Sequence, residues 1–174
     1  MRKASAAIFA YLMFSAIAHG QAPGSYIGFE YKGASPNTIL RNGVMHLGGS
    51  LVSDHRADPV YAVSQVSKGS TSMLWLEVST GQNEKGATGW RVLDVLQYPK
   101  PTGRMDLLMP HGPGLRCTRD GENFTNLIAI GALQRPQLTY TLQHAWLADI
   151  KKKKFVSVPV RGIKCIYSEP VPLI

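Results

Sequence analysis

The stretch TSMLWLEVSTGQNEKGATGWRVLDVLQY, residues 71–98, decides the fold because it places two apolar segments on either side of a polar, glycine-rich one. Residues 71–80 are apolar at both odd and even positions, which is typical of a strand in the middle of a sheet. In residues 90–98 the apolar side chains largely share one parity, as in a strand with one buried face. The pattern predicts an antiparallel hairpin whose connection covers residues 81–89.

Strand-like patterns continue through the rest of the chain. Apolar residues alternate with polar ones or glycine over 25–33, and the segments 43–53 and 59–67 are rich in branched residues and bounded by turn formers. Asp120-Gly121 is a strong signal for a tight turn between two strands.

The fold class follows from these periods. No apolar period of 3.6 residues persists over ten positions, so no long helix is predicted. Residues 126–133 fit either a strand or one short helix, and their period does not separate the two. We expect a mainly β protein, an antiparallel β-sandwich or barrel, built as a single β-rich domain over residues 23–174.

The first 22 residues have the layout of a secretory signal peptide. Arg2 and Lys3 precede an uncharged apolar run, residues 4–18, and Ala16-Ile17-Ala18 supplies a cleavage site. The run is shorter than the roughly 20 residues that cross a bilayer, so a cleaved leader is favoured over an uncleaved anchor. This predicts a periplasmic or secreted protein with no transmembrane segment in its mature chain.

Two cysteines, Cys117 and Cys165, are the only ones in the chain. In an exported protein, two distant cysteines without C-x-x-C spacing indicate one structural disulfide. Closing a loop of about 49 residues would stabilise the fold by roughly 4 kcal/mol. A metal site or a catalytic cysteine is a weaker alternative, because a metal would need further ligands and a nucleophile would leave its fellow unpaired. No metal and no other cofactor is expected.

The charge is basic and unevenly distributed. The whole chain has a net charge of +8, and removal of Arg2 and Lys3 leaves seventeen basic against eleven acidic residues, or +6. Residues 104–174 carry most of this excess, which favours anionic partners and says nothing about the fold.

A run of four lysines, Lys151 to Lys154, separates two alternating segments, 138–146 and 155–160, that are predicted to pair. It is either the solvated tip of a hairpin, the commoner role, or a contact for an acidic protein face or an anionic envelope component. Nucleic acid is not expected, because no aromatic platform or reading helix accompanies the lysines.

Catalytic motifs of the common hydrolases and nucleotide enzymes do not occur in the sequence. The best catalytic candidate is SDHRADP, residues 53–59, in which Asp54 or Asp58 could orient His55 as a general base. The same residue types are ordinary constituents of a polar loop. His111 could join this group only if the fold brings it close to His55.

The aromatic residues add one further hypothesis. Trp75 and Trp146 are expected in the core, together with His144, which shares the parity of Trp146. Trp90 and Arg91 follow the glycine-rich connection and belong either to the core or to an exposed protein-binding hot spot.

The functional hypothesis is an exported binding protein, of the inhibitor or immunity type, that captures a protein partner through its loops and basic face. The predicted binding residues are Lys151, Lys152, Lys153, Lys154, Trp90 and Arg91. Two alternatives stay open: an envelope hydrolase that uses His55 with Asp54 or Asp58, and a structural component of the envelope or of a secretion apparatus.

Overall fold

The computed structural model describes residues 23–82, 87–110 and 114–168, and these residues form two antiparallel sheets. The predicted mainly β class is therefore confirmed. The predicted signal peptide and His111 lie outside the described residues.

The first sheet has six strands in the order β1-β6-β5-β4-β3-β2. They are β1 (Glu30–Lys32), β2 (Thr38–Ile39), β3 (Met45–Leu51), β4 (Tyr61–Lys68), β5 (Thr71–Gln82) and β6 (Thr88–Gln97). Strands β5 and β6 pair as the predicted hairpin, but both strands extend into the region 81–89 that was predicted as the connection.

The prediction of a strand over residues 25–33 is only partly right. Pro23–Tyr26 is a turn of 3-10 helix, and β1 covers just the last part of the segment. Ile27, which the alternation would bury, is 55% exposed, whereas Tyr26 is buried against Trp75. The 3-10 turn breaks the two-residue period, so Tyr26 takes the buried position.

The first sheet is strongly curled. Three strands lie between β1 and β3 in the sheet order, so a flat sheet would hold these strands roughly 19 Å apart at the usual spacing. The ring of Tyr31 in β1 is nevertheless only 6.2 Å from the ring of His46 in β3. The sheet therefore wraps around its own concave face, where Trp75 is fully buried among aromatic neighbours.

The second sheet has the order β7-β10-β11-β13-β8-β9, with β12 also pairing with β11. Its strands are β7 (Met105–Leu108), β8 (Leu115–Arg119), β9 (Glu122–Asn123), β10 (Leu127–Gln134), β11 (Thr139–Asp149), β12 (Lys154–Ser157) and β13 (Ile163–Tyr167). The segment 126–133, which the sequence left open between strand and helix, is thus a strand.

Two local predictions in this sheet are confirmed. Asp120 and Gly121 connect β8 to β9 with φ of 53° and 88°, and two successive positive φ values define the tight turn that favours these residue types. Cys117 and Cys165 stand directly opposite each other on β8 and β13 and form the disulfide.

The predicted burial of His144 is wrong, and a β-bulge lies next to it. Ile130 pairs with His144 but Gly131 pairs with Leu142, so Gln143 is an extra residue in β11. The extra residue moves His144 to the face opposite Leu142, which is the face of Trp146. His144 is exposed there, with its ring stacked 5.7 Å from that of Trp146. Trp146 itself is half-buried, not fully in the core.

The main core lies between the two sheets. Val63, Leu74 and Leu76 from the first sheet pack in one cluster with Ile128 and Ile130 from the second. A further cluster lies inside the curl of the first sheet, and another surrounds the disulfide. Among the described residues, no helix is long and apolar enough to span a membrane.

Candidate functional site

The least expected feature of the interior is a buried carboxyl group, Glu77, which is 1% exposed. It lies on β5 at the same parity as Trp75 and therefore points to the concave face of the first sheet. Tyr31 Oη donates a hydrogen bond of 2.8 Å to Oε1, and Ser64 Oγ donates one of 2.7 Å to Oε2. Within the described residues Glu77 has no ion-pair partner, so its charge relies on these two hydroxyl groups.

His46 extends this group to a fourth strand. Its Nε2 lies 3.3 Å from Ser64 Oγ, and the residue is 6% exposed. Because the single hydroxyl proton of Ser64 is donated to Glu77, the Ser64 oxygen acts as acceptor toward His46, whose neutral ring then carries its proton on Nε2. We call Tyr31, His46, Ser64 and Glu77 the buried polar cluster.

One nitrogen atom of the buried polar cluster is not hydrogen-bonded to any described residue. His46 Nδ1 is buried and has no hydrogen-bond partner among the described residues. In the tautomer set by Ser64, this nitrogen is an unused acceptor. Trp75 Nε1 is also buried without a partner, but Trp75 belongs to the aromatic core of the concave face.

The ionisation of the cluster is governed by burial. Desolvation raises the pKa of Glu77 to about 7, although the hydrogen bonds from Ser64 and Tyr31 act in the opposite direction. Burial lowers the pKa of His46, and an interaction with the backbone of Ser35 acts in the opposite direction. Burial and the nearby Glu77 charge raise the pKa of Tyr31. Near neutral pH, Glu77 is therefore the group that changes its charge.

A cavity of about 210 Å³ opens beside the buried polar cluster. Its lining consists of Tyr31, Ala34, His46, Gly49, Ser50, Leu51, Ala62, Ser64 and Trp90. Trp90 is directly opposite Tyr31 in the pairing of β1 with β6, so the two aromatic side chains stand on the same face.

Glycine shapes one wall of this cavity. Gly48 has a φ of 135° at the bulge where β3 shifts register against β4. A Cβ atom on the next residue, Gly49, would lie 2.8 Å from the Val63 carbonyl oxygen and 3.0 Å from Ser64 Oγ. Only glycine therefore lets the β3 backbone approach the Ser64 hydroxyl this closely.

The geometry differs from that of a catalytic triad. In a triad the imidazole stands between serine and carboxylate and accepts the serine proton. Here Ser64 lies between His46 and Glu77, and its hydroxyl group donates a hydrogen bond to the carboxylate. The arrangement suits hydrogen bonding to a ligand better than activation of a serine nucleophile.

The lysine run forms the tip of the hairpin of β11 and β12, as predicted. Asp149 pairs with Lys154 across the two strands, and all four lysines are exposed. The Asp149 carboxylate accepts a 2.9 Å hydrogen bond from the backbone of Lys152 and lies 3.2 Å from its Nζ. These bonds lower the pKa of Asp149 and fix the shape of the turn.

The tip is also fixed to the rest of the molecule. The backbone N–H of Phe155, directly after the lysines, donates a 2.7 Å hydrogen bond to the Asp94 carboxylate on β6 of the first sheet. We refer to residues 149–155 as the lysine hairpin. It presents a concentrated positive charge on a defined backbone.

The other two predicted binding residues, Trp90 and Arg91, lie on opposite faces of β6. Trp90 is half-buried and lines the cavity, whereas Arg91 is exposed on the opposite face of β6, with its guanidinium 3.9 Å from the Glu30 carboxylate. The two residues do not form one patch.

The predicted hydrolase residues lie in the loop between β3 and β4. His55 Nδ1 is 3.3 Å from Asp54 Oδ1, but these side chains are 71% and 69% exposed. They border a wide surface depression together with Thr125 and Asn126, and Asp58 is exposed outside its lining. Among the described residues, no group of three or more histidine, cysteine or acidic side chains could hold a metal ion.

Comparisons with protein-family models, with curated proteins and with solved structures found no match to this chain.

Sequence reasoning missed the buried polar cluster. The available signal was Glu77 itself, a single acidic residue within an otherwise apolar strand. A carboxyl group at such a position must find hydrogen-bond donors from other strands. The sequence does not say which strands supply them, because Tyr31 is 46 residues away.

Proposed function

We propose that this protein is an exported binding protein that captures an acidic protein partner through the lysine hairpin. The observation that supports this most is the anchoring of the hairpin by Asp149 and Asp94. A flexible lysine loop would lose conformational entropy when it binds, whereas a fixed one loses less and keeps its charges in register.

Charge complementarity is the proposed basis of recognition. Among the described residues, Lys152 is the only lysine of the hairpin that forms an ion pair, which leaves Lys151, Lys153 and Lys154 for acidic groups of the partner. Charged residues of this kind mainly accelerate association and select the partner, and their effect weakens as salt increases.

The test compares two triple charge reversals. The first, Lys151→Glu with Lys153→Glu and Lys154→Glu, spares Lys152 because a glutamate there would repel Asp149. The matched control reverses three exposed basic residues of the first sheet and its flanks, Lys32, Arg41 and Lys100. Both variants change the net charge by the same amount.

Affinity capture from a periplasmic extract, followed by mass spectrometry, provides the measurement. The wild-type protein and the control should retain the same partner, and the hairpin variant should lose it at least tenfold. Equal loss in both variants would show that net charge alone is responsible. Unchanged capture by the hairpin variant would remove the lysines from the binding surface, and retention of only anionic glycolipid would replace the protein partner by an envelope component.

A further inference from the structure

The cavity beside the buried polar cluster has no role in the function proposed above. Its side chains offer more free hydrogen-bond acceptors than free donors. Its hydroxyl donors are already used: Tyr31 and Ser64 donate to Glu77, and Ser50 donates to the carbonyl oxygen of Pro110. The Nε2 proton of His46 is directed to Ser64. Among the described lining residues, the remaining side-chain donor is the indole N–H of Trp90.

Unused acceptors are more numerous. The hydroxyl oxygens of Tyr31 and Ser64 each retain acceptor capacity beyond the hydrogen bonds that they donate to Glu77. His46 Nδ1, which has no hydrogen-bond partner among the described residues, is closed off from solvent and is not counted as a ligand contact. A ligand for this cavity must therefore bring hydrogen-bond donors.

The charge of the site also favours a ligand that donates hydrogen bonds, in particular a cation. The described part of the lining contains no lysine or arginine, and the carboxyl group of Glu77 lies directly behind Tyr31 and Ser64. An anionic ligand would find neither a cation nor a set of donors there. A cation would be attracted by the carboxylate and by the faces of the Trp90 and Tyr31 rings.

We propose that this cavity is a binding site for a small protonated primary amine. The ammonium group donates hydrogen bonds to the hydroxyl oxygens of Tyr31 and Ser64, and Glu77 balances its charge. The short hydrocarbon part lies between Trp90 and the small side chains of Ala34 and Ala62. A volume of about 210 Å³ suits a ligand of this size.

Binding is tested with n-butylamine as the probe, and with 1-butanol and butyrate as the neutral and anionic controls. Two-dimensional nitrogen–proton NMR of the purified protein would follow the indole N–H of Trp90 and the ring nitrogens of His46. The amine should shift these signals with a Kd of about 1 mM, in the range expected for a ligand of five heavy atoms. Butanol should bind at least tenfold more weakly, and butyrate should produce no shift.

A pair of variants tests whether the charge of Glu77 contributes to amine binding. Glu77→Gln keeps the shape of the side chain and should weaken amine binding at least tenfold, whereas Glu122→Gln, at an exposed position, should not change it. The lysine hairpin variant should bind the amine normally, so failure of the proposed function and failure of this site can be distinguished.

Several results would overturn the proposal. Equal affinity for the amine and for butyrate or butanol would show that donor groups and charge do not matter. Shifts confined to Asp54 and His55 would place the amine at the surface depression instead. If Glu77→Gln does not fold, the comparison of amine, alcohol and carboxylate on the wild-type protein decides the question alone.

Discussion

Replacing Glu77 with glutamine should change how the free energy of unfolding depends on pH. The carboxyl group has an ordinary pKa of 4.5 and a pKa of about 7 in the folded protein, chiefly because it is buried. Between these two values the folded chain holds a proton that the unfolded chain releases. Stability is therefore greatest below pH 4.5 and falls as the pH rises toward 7.

The size of the effect follows from the same values. Each pH unit in this window removes about 1.4 kcal/mol from the free energy of unfolding, so the whole interval costs roughly 3 kcal/mol. Glu77 is almost completely shielded from solvent, so little of this is screened by water. Glutamine does not ionise, and its curve should lack this decline.

Near neutral pH the Glu77→Gln variant should be the more stable of the two proteins, whereas at acidic pH the wild type should be. Glu77 is protonated there, so one of its oxygens is already a donor, and one hydroxyl group of Tyr31 and Ser64 must turn in either protein. The glutamine amide has one N–H more than the carboxylic acid, and this additional buried donor should cost about 1 kcal/mol. The stability curves of wild type and Glu77→Gln should therefore cross between pH 4.5 and 7.5.

Urea unfolding at pH 4.5, 5.5, 6.5 and 7.5, followed by tryptophan fluorescence, measures both curves. Trp75 reports on the same concave face, where it is fully buried. The exposed Glu122→Gln variant supplies the control and should follow the wild type. Parallel curves for wild type and Glu77→Gln would refute the reasoning, because the buried carboxyl group would then contribute nothing to the pH dependence.

Two further predictions concern stability. Gly49→Ala should lower the free energy of unfolding by about 1–3 kcal/mol, because its Cβ would press on the Val63 carbonyl and Ser64; urea unfolding measures the loss, and Gly24→Ala, where nothing lies within 4 Å, is the control. A wild-type stability for Gly49→Ala would contradict the close approach. Replacement of both Cys117 and Cys165 by serine should cost roughly 4 kcal/mol, because the bond closes a loop of 48 residues. Thiol titration of the native wild-type protein should find no free sulfhydryl, and two free thiols would contradict the disulfide.

The fold was predictable where the period of two and the turn chemistry act locally. The hairpin of β5 and β6, the turn at Asp120-Gly121 and the lysine hairpin all depend on residues close in sequence. The position of His144 was not predictable, because one bulged residue reverses the alternation and no residue type marks Gln143 as the bulge.

The candidate functional residues were likewise predictable only where they lie close together in the sequence. The lysine hairpin was visible as a run of charge, and the contact of His55 with Asp54 joins sequence neighbours. The buried polar cluster depends instead on the curl of the first sheet, which brings Tyr31 and His46 together across three intervening strands. Curl is set by glycines, bulges and packing over the whole sheet, so a single segment does not reveal it.

The separation of the two sheets along the chain has a consequence for biogenesis. Every described pairing of the first sheet joins residues before 98, and every one of the second joins residues after 104, including the disulfide. A polypeptide that emerges from a ribosome or a translocation pore with its N-terminus first presents the complete first sheet before either thiol arrives. The disulfide therefore links only residues of the half that emerges later.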